Sequence, residues 1–249
     1  MTMMKTYEIT SLTNEKIKHW AKLSQSKHRR ATGLFLAEGY HLVQEAAIAG
    51  LIDTLILVKG KQIDIETPTI VEVTEEIMKK LCGTESQSDV VAVCRLWKQE
   101  GELGERVLLL DQLQDPGNVG TIIRTARSFG FDSVVLSENT VDLTNDKVIR
   151  SSQGAIFHMP VYQRNLYKTI DELKQNDIYI LGTGLQDALP MSHIPCLDAV
   201  AIVVGNEGQG VRESVLKRCD AVTKIEIDGF ESLNVAVAAG ILCYHFRKG

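Results

Sequence analysis

The stretch "AIVVGNEGQGVRES", residues 201–214, decides the fold. An uninterrupted apolar run ends at Gly205, and Asn206, Glu207, Gly208 and Gly210 form a glycine-rich loop before a helical pattern begins near Arg212. The surrounding sequence repeats this strand–loop–helix order. "VLLLD", "DSVVLS", "IYILGTG" and "AVTKIEI" read as strands, while "NVGTIIRTARSFG", "NDKVIRSSQGA", "LYKTIDELKQN" and "RESVLKRC" read as helices. Strands separated by helices indicate a parallel sheet covered on both faces. The loop spacing G-x-x-G-x-G is neither the dinucleotide fingerprint nor the phosphate-binding P-loop. It suits a cofactor lying against bare backbone. A Rossmann-type enzyme would need its glycine loop after an early strand, with an acidic residue some 20 positions on, and that arrangement is absent.

Working outward, the N-terminal part carries its own alternation. "NEKIKHWAKLSQSKHRR" reads as a helix capped by Asn14, "GLFLAEG" as a strand, "YHLVQEAAIAG" as a helix closed by Gly50, and "LIDTLILVKG" and "TPTIVEV" as strands. Thr74 caps "EEIMKKLCG", and "DVVAVCRLW" is a further strand. The polar, glycine-containing "KQEGELGER" is the linker candidate. The expected organisation is a smaller α/β domain at 1–97, a linker at 98–106 and a larger α/β domain at 107–249.

Bulk properties narrow the class. In 249 residues, 44% are hydrophobic and 24% charged, so the chain builds a core and is not a disordered segment. No apolar run is long enough to span a bilayer and the N-terminus has no signal core, so a cytoplasmic protein with no membrane partner is expected. Five scattered cysteines without C-x-x-C, and six histidines without ligand spacing, point to reduced thiols and no metal site. A net charge of −5 argues against a generally basic nucleic-acid coat. Yet Lys16, Lys18, Lys22, Lys27, Arg29 and Arg30 form a cationic strip containing no acid.

In open parallel sheets, ligands bind beyond the carboxyl ends of the strands. Three loops of the larger domain sit there. In "LLLDQLQDPGNVGTIIRTARSFG", Pro116 and Gly117 set a turn, Asn118 is placed to cap the helix, and Arg124 and Arg127 share a face. The second loop is the one at 205–210. The third is "DGFESLNVAVAAGILCYH" from Asp228: Ser232 is placed to cap a final helix whose body is apolar on all sides and therefore expected to be buried all round.

In this order and at these separations, the three motifs (Asn118-Val-Gly120…Arg124-Thr-Ala126, Gly205-Asn-Glu207-Gly-Gln-Gly210, and Ile225…Gly229…Ser232-Leu233-Asn234-Val235) closely resemble those of the SpoU (TrmH-type) RNA ribose 2′-O-methyltransferases of the SPOUT superfamily. "KVIRSSQGAIFHMPV" is similar to the family's segment between its first two motifs. "FLAEGYHLVQEA" and "SDVVAVCR" resemble the substrate-binding domain often fused in front, a small fold akin to RNA-binding ribosomal proteins. One departure stands out. The third motif commonly reads Ile-Pro-Met before its glycine, whereas this chain has Ile225-Glu226-Ile227-Asp228-Gly229.

The resemblance implies a trefoil-knotted catalytic domain, a homodimer formed through it, and S-adenosyl-L-methionine as cofactor. It implies a cofactor site at Thr183, Gly184, Gly205, Asn206, Gly210, Ile225, Ile227 and Leu233. It assigns catalysis to Arg124, with Asn118, Glu207, Ser232 and Asn234 orienting it and the ribose. A guanidinium stays charged in proteins, so stabilising a developing alkoxide or clamping the adjacent phosphate suits Arg124 better than acting as a base. The cationic strip becomes an RNA contact, through Lys16, Lys22, Lys27, Arg29 and Arg30, joined by Arg127. Ribosomal RNA is the expected substrate. A tRNA ribose methyltransferase and a non-catalytic RNA-binding protein on the same fold are the alternatives; a base-methylating relative would carry other motif residues.

Overall fold

The computed structural model describes residues 5–82, 88–97, 101–195, 197–228 and 232–248. Lys98 to Glu100 of the expected linker, Cys196, Gly229 and Glu231 lie outside the described residues. In chain order the first elements are β1 (Lys5–Ile9), α1 (Glu15–Ala21), α2 (Ser26–Thr32), β2 (Leu34–Glu38) and α3 (Tyr40–Ile48). Next come β3 (Ile52–Val58), β4 (Thr69–Val73), α4 (Glu75–Leu81), β5 (Val90–Arg95) and β6 (Arg106–Asp111). Then follow α5 (Pro116–Ser128), β7 (Ser133–Leu136), α6 (Asp146–Ser152), β8 (Val161–Gln163), α7 (Leu166–Gln175) and β9 (Tyr179–Thr183). The chain ends with β10 (Leu189–Pro190), β11 (Val200–Gly205), α8 (Glu213–Leu216), β12 (Ala221–Lys224) and α9 (Val235–His245).

These elements form two compact units. One comprises Met1–Lys98 with Asp142–His158, the other Gln99–Val141 with Met159–Gly249. The first has a five-stranded sheet in the order β1-β4-β3-β5-β2, parallel across β1, β4 and β3, with β5 antiparallel to both its neighbours. Asn14 and Thr74 cap α1 and α4 as their sequences predict. The single helix expected over 14–30 is instead two: a 3₁₀ turn at Lys22–Ser24 and the extended backbone of Gln25 separate α1 from α2.

Asp142–His158, contiguous in sequence with the larger domain, packs on this first sheet. Ile149 and Phe157 complete a cluster with Phe35, Leu42, Val43, Leu55 and Ala92, and the Phe157 ring lies 5.8 Å from that of Phe35. An apolar helix face says that it needs a sheet but not which one. Arg29 closes the same joint and corrects its assignment as an RNA contact. It is 4% exposed and donates to Thr144 Oγ1 (2.9 Å), the Leu23 and Ser24 carbonyls (3.0 and 2.8 Å) and Asp142 Oδ2 (2.7 Å). Four of its five N–H donors are committed to these internal partners, and its burial keeps the fifth from serving as a surface phosphate contact.

The second unit is a seven-stranded sheet, parallel throughout, in the order β10-β12-β9-β11-β6-β7-β8. Its central strands β6 and β11 are buried along their whole lengths, which explains their unbroken apolar sequences. α9 is not buried on all sides. Val235, Ala236, Ala239, Leu242 and Cys243 face inward, whereas Val237 and Tyr244 are 52% and 56% exposed. Its inner face packs along α5, and at the margin of that contact the half-exposed Tyr244 meets Phe129 edge to face at 5.7 Å. Arg106 fixes its far end by donating from Nε to the Phe246 carbonyl at 2.9 Å. Among the described residues, no helix is long and apolar enough to cross a membrane.

Candidate cofactor cleft and catalytic cluster

The site is assembled at the carboxyl ends of β6, β9, β11 and β12. α5 begins there, and its cap is Asp115, whose side chain accepts the Asn118 N–H at 2.8 Å. Pro116 occupies the first helical turn, where its missing N–H costs nothing. Asn118 had been the expected cap. Relieved of that task, its amide turns outward, donating from Nδ2 to Glu207 Oε1 at 3.0 Å and accepting from Asn234 Nδ2 at 3.2 Å. Ser232 is likewise not the cap of α9. Asn234 is, its Oδ1 accepting the N–H groups of Ala236 (2.9 Å) and Val237 (3.4 Å). Both ends of the Asn234 amide are thereby fixed, and one polar chain, Glu207–Asn118–Asn234, joins all three motifs.

Between β11 and α8 the loop folds back on itself. Asn206 and Gly210 form an isolated antiparallel bridge, and a side chain at Gly205 would put its Cβ 2.1 Å from Gly210 C and Val211 N. Only glycine fits where two backbones press together this closely. Asn206 secures the loop further: Oδ1 accepts from Gly208 N (2.9 Å) and Gln209 N (3.2 Å), and Nδ2 donates to the Gln112 carbonyl at 3.0 Å. Gln112 presents that carbonyl from a left-handed backbone, φ +59°.

A cleft of about 950 Å³ opens beside this loop. Every residue expected at the cofactor site lines it: Thr183, Gly184, Gly205, Asn206, Gly210, Ile225, Ile227 and Leu233. So do Glu207, Ser232 and Asn234. Backbone at glycine positions, flanked by the side chains of Ile225, Ile227 and Leu233, makes a wall that fits a nucleoside with an apolar face and a few amide partners. The cleft therefore suits S-adenosylmethionine by shape and chemistry. Arg124 is not part of the lining; it stands on the exposed face of α5, as does Arg127.

The sequence reading missed a second buried contact here. Asp111, at the end of β6, has no solvent exposure and receives three donors from Arg212: backbone N (3.0 Å), Nε (2.9 Å) and Nη2 (2.7 Å). Arg212 lines the cleft and lies over the Tyr167 ring at 5.4 Å. A lone carboxylate terminating the apolar run "VLLLD" was the available signal, because a charge at the end of a buried strand needs a partner.

The chain is similar to known proteins along nearly its whole length. The SpoU rRNA Methylase family matches residues 105–244, and an MRM3-like substrate binding domain matches residues 14–92. The 23S rRNA (guanosine(2553)-2′-O)-methyltransferase RlmP of Bacillus subtilis is 42% identical over 245 residues, which cover 96% of this chain and 99% of that protein. An AdoMet-bound rRNA methyltransferase from Sinorhizobium meliloti superposes with a TM-score of 0.86 at 29% identity, covering 96% of this chain and 97% of the other. A solved RNA 2′-O ribose methyltransferase gives a TM-score of 0.83 at 28% identity, with 96% and 97% covered.

Proposed function

The chain belongs to the SpoU rRNA methylase family, and from that premise we propose that it methylates a ribose 2′-hydroxyl of ribosomal RNA, with the three-motif cluster as its catalytic centre. It is an RNA ribose 2′-O-methyltransferase that uses S-adenosylmethionine. The observation carrying the assignment of the centre is the Glu207–Asn118–Asn234 chain at the lip of the cleft.

The bound cofactor supplies an activated methyl group on a sulfonium. The protein's work is to place a ribose hydroxyl in line with it and to make the alkoxide less costly. Positioning of this kind is worth about 7–11 kcal/mol in well-oriented systems. Glu207, Asn118 and Asn234 act as one rigid polar edge against which the ribose is oriented, and Ser232 adds a hydroxyl beside them. Arg124, exposed on α5, is free to swing toward the RNA, hold a phosphate bidentately and stabilise charge developing on the oxygen.

The proposed substrate-binding domain, 1–97, would recruit RNA through Lys16, Lys22, Lys27 and Arg30, all exposed, with Arg127 contributing from α5. Lys16 is held by Tyr7, whose hydroxyl accepts from Nζ at 2.6 Å and whose ring lies 4.7 Å away. Linker 98–106 and catalytic domain 107–249 complete the proposed division. The exposed apolar stripe of α9, Val237 and Tyr244, supports a homodimer through that face. Membership of the SpoU family extends the proposal to a trefoil knot within 107–249. The compartment that fits an RNA-modifying enzyme of this composition is the cytoplasm.

The test uses methyl-labelled S-adenosylmethionine with unmodified rRNA and tRNA in separate reactions, followed by alkaline hydrolysis. A 2′-O-methyl blocks cleavage at its own linkage. Label in alkali-resistant dinucleotides from rRNA is expected. Label in mononucleotides would indicate base methylation, and label in tRNA alone would overturn the substrate.

A further inference from the structure

Glu226 lies between two residues that line the cleft, Ile225 and Ile227, yet does not line it itself. Its carboxylate turns the other way, toward the strap Leu189–His193. Oε2 accepts the Met191 N–H at 3.2 Å and Oε1 accepts the Ser192 hydroxyl. Met191–His193 is a 3₁₀ turn, and Pro190 before it offers no side-chain cap. The first N–H groups of such a turn need an external acceptor, and a carboxylate 35 residues downstream supplies it. These bonds, led by the Ser192 hydroxyl, hold the Glu226 carboxyl below its ordinary range.

The placement matters because regular pairing ends just before it. The strap's two-residue strand β10 pairs with β12 at Leu189–Thr223 and Pro190–Lys224, and Thr223 Oγ1 donates to the Leu189 carbonyl at 3.0 Å. Residues 225–228 then run past the cleft in no strand or helix. The position where this chain departs from Ile-Pro-Met is thus a tethered one.

We propose that Glu226 is a positioning residue of the cofactor cleft. By tying 225–228 to the strap it fixes Ile225 and Ile227, the apolar wall against which the cofactor lies. The inference rests on the cofactor reading above. Neither Glu226 nor Ser192 touches the cleft interior, so loss of the tether should weaken cofactor binding without altering methyl transfer once the cofactor is bound.

The experiment measures binding of S-adenosylmethionine and S-adenosylhomocysteine by calorimetry, and methyl transfer to unmodified rRNA, in the full chain and its variants. Glu226→Ala and Ser192→Ala are each expected to weaken cofactor affinity roughly 3- to 10-fold, a modest share of a charge-assisted bond because the site is exposed. KM for the cofactor should rise by the same factor with kcat unchanged. Glu226→Gln, which keeps an acceptor of the same reach, should recover part of the loss. The double variant Glu226→Ala/Ser192→Ala should bind no more weakly than Glu226→Ala alone. Wild-type affinity in Glu226→Ala, additive losses in the double variant, or a fall confined to kcat would each overturn the proposal. Failure of the wild-type chain to bind either compound would instead overturn the cofactor reading, and this inference with it.

Discussion

Asn118 donates to Glu207 at 3.0 Å across 89 positions of sequence, which makes the head of α5 and the loop after β11 a single polar unit. The pairing depends on an amide that donates at one end and accepts at the other. Asn118→Asp would set a second carboxylate against Glu207 and remove the donor. Transfer should fall at least roughly 100-fold, the loss typical of a misplaced polar group in an active site. Cofactor affinity should stay within about threefold, since Asn118 is not part of the cleft lining. Calorimetry beside single-turnover methylation reads both numbers, and an active Asn118→Asp would remove this chain of bonds from the mechanism.

Arg124→Ala should abolish transfer while leaving S-adenosylmethionine affinity nearly intact, because Arg124 stands outside the cleft. Arg124→Lys keeps the charge but loses the planar fork, and should recover only a small part of the rate. A collapse of cofactor binding in either variant would show that α5 carries the cleft rather than the chemistry.

Removing the carboxylate of Asp111 leaves Arg212 without its buried partner. The expected loss in Asp111→Ala is about 3 kcal/mol, the low end of the range for breaking a buried pair, because Arg212 keeps a route to solvent. Thermal melts of the full chain measure it. An unshifted melting temperature would mean that the pair contributes nothing.

Acid should loosen the first unit through Asp142. Burial pushes its carboxyl up, but hydrogen bonds from Ser26, from the Thr144 backbone and hydroxyl, and from Arg29 outweigh that and bring it from 3.8 down to about 2. A depressed folded-state value gives stability that is complete above the ordinary carboxylate pKa and is lost as pH falls from about 4 toward 2. The amount is on the order of 2 kcal/mol. Melts of Asp142→Asn should be less stable than wild type at neutral pH and should not lose this increment on acidification; parallel curves for the two proteins would refute it.

Gly205→Ala should prevent the loop 206–210 from closing. Its Cβ would meet backbone atoms at 2.1 Å, which no rotamer change relieves, so the cost should exceed about 3 kcal/mol, above ordinary overpacking. Near-wild-type melting and cofactor binding in this variant would mean that the crossing is looser than it stands here.

The strand ends and loops around the cleft were legible in local pattern, apolar strands ending in glycine and a polar cluster before a helix, whereas the individual residues of its wall came only from the family resemblance. All eight expected cofactor residues came together. The caps were misread because several capping residues crowd each helix start. Asp115 and Asn118 flank the same Pro-Gly pair, and Ser232 and Asn234 the same leucine. At α5 the bonds of Asn118 to two distant motifs leave the cap to Asp115, whereas at α9 Asn234 both caps with its oxygen and reaches Asn118 with its nitrogen, a double use that local sequence does not signal. Arg29 could not be separated from the other cations of its strip, since the carboxylate that buries it is 113 positions away. The pairing of Asp111 with Arg212 was hidden for the same reason, being 101 positions apart.

The return of Asp142–His158 to the first sheet has a consequence for biosynthesis. Domains emerging from the ribosome generally fold as units, N-terminal first. Here the N-terminal sheet has all its strands by Arg95, but Arg29 still lacks Asp142 and Phe35 still lacks Phe157. The nascent chain must therefore hold an unfinished apolar surface open while β6, α5 and β7 of the other sheet are synthesised. The two units are interleaved in time of manufacture, and neither can be completed by the ribosome before the other has begun.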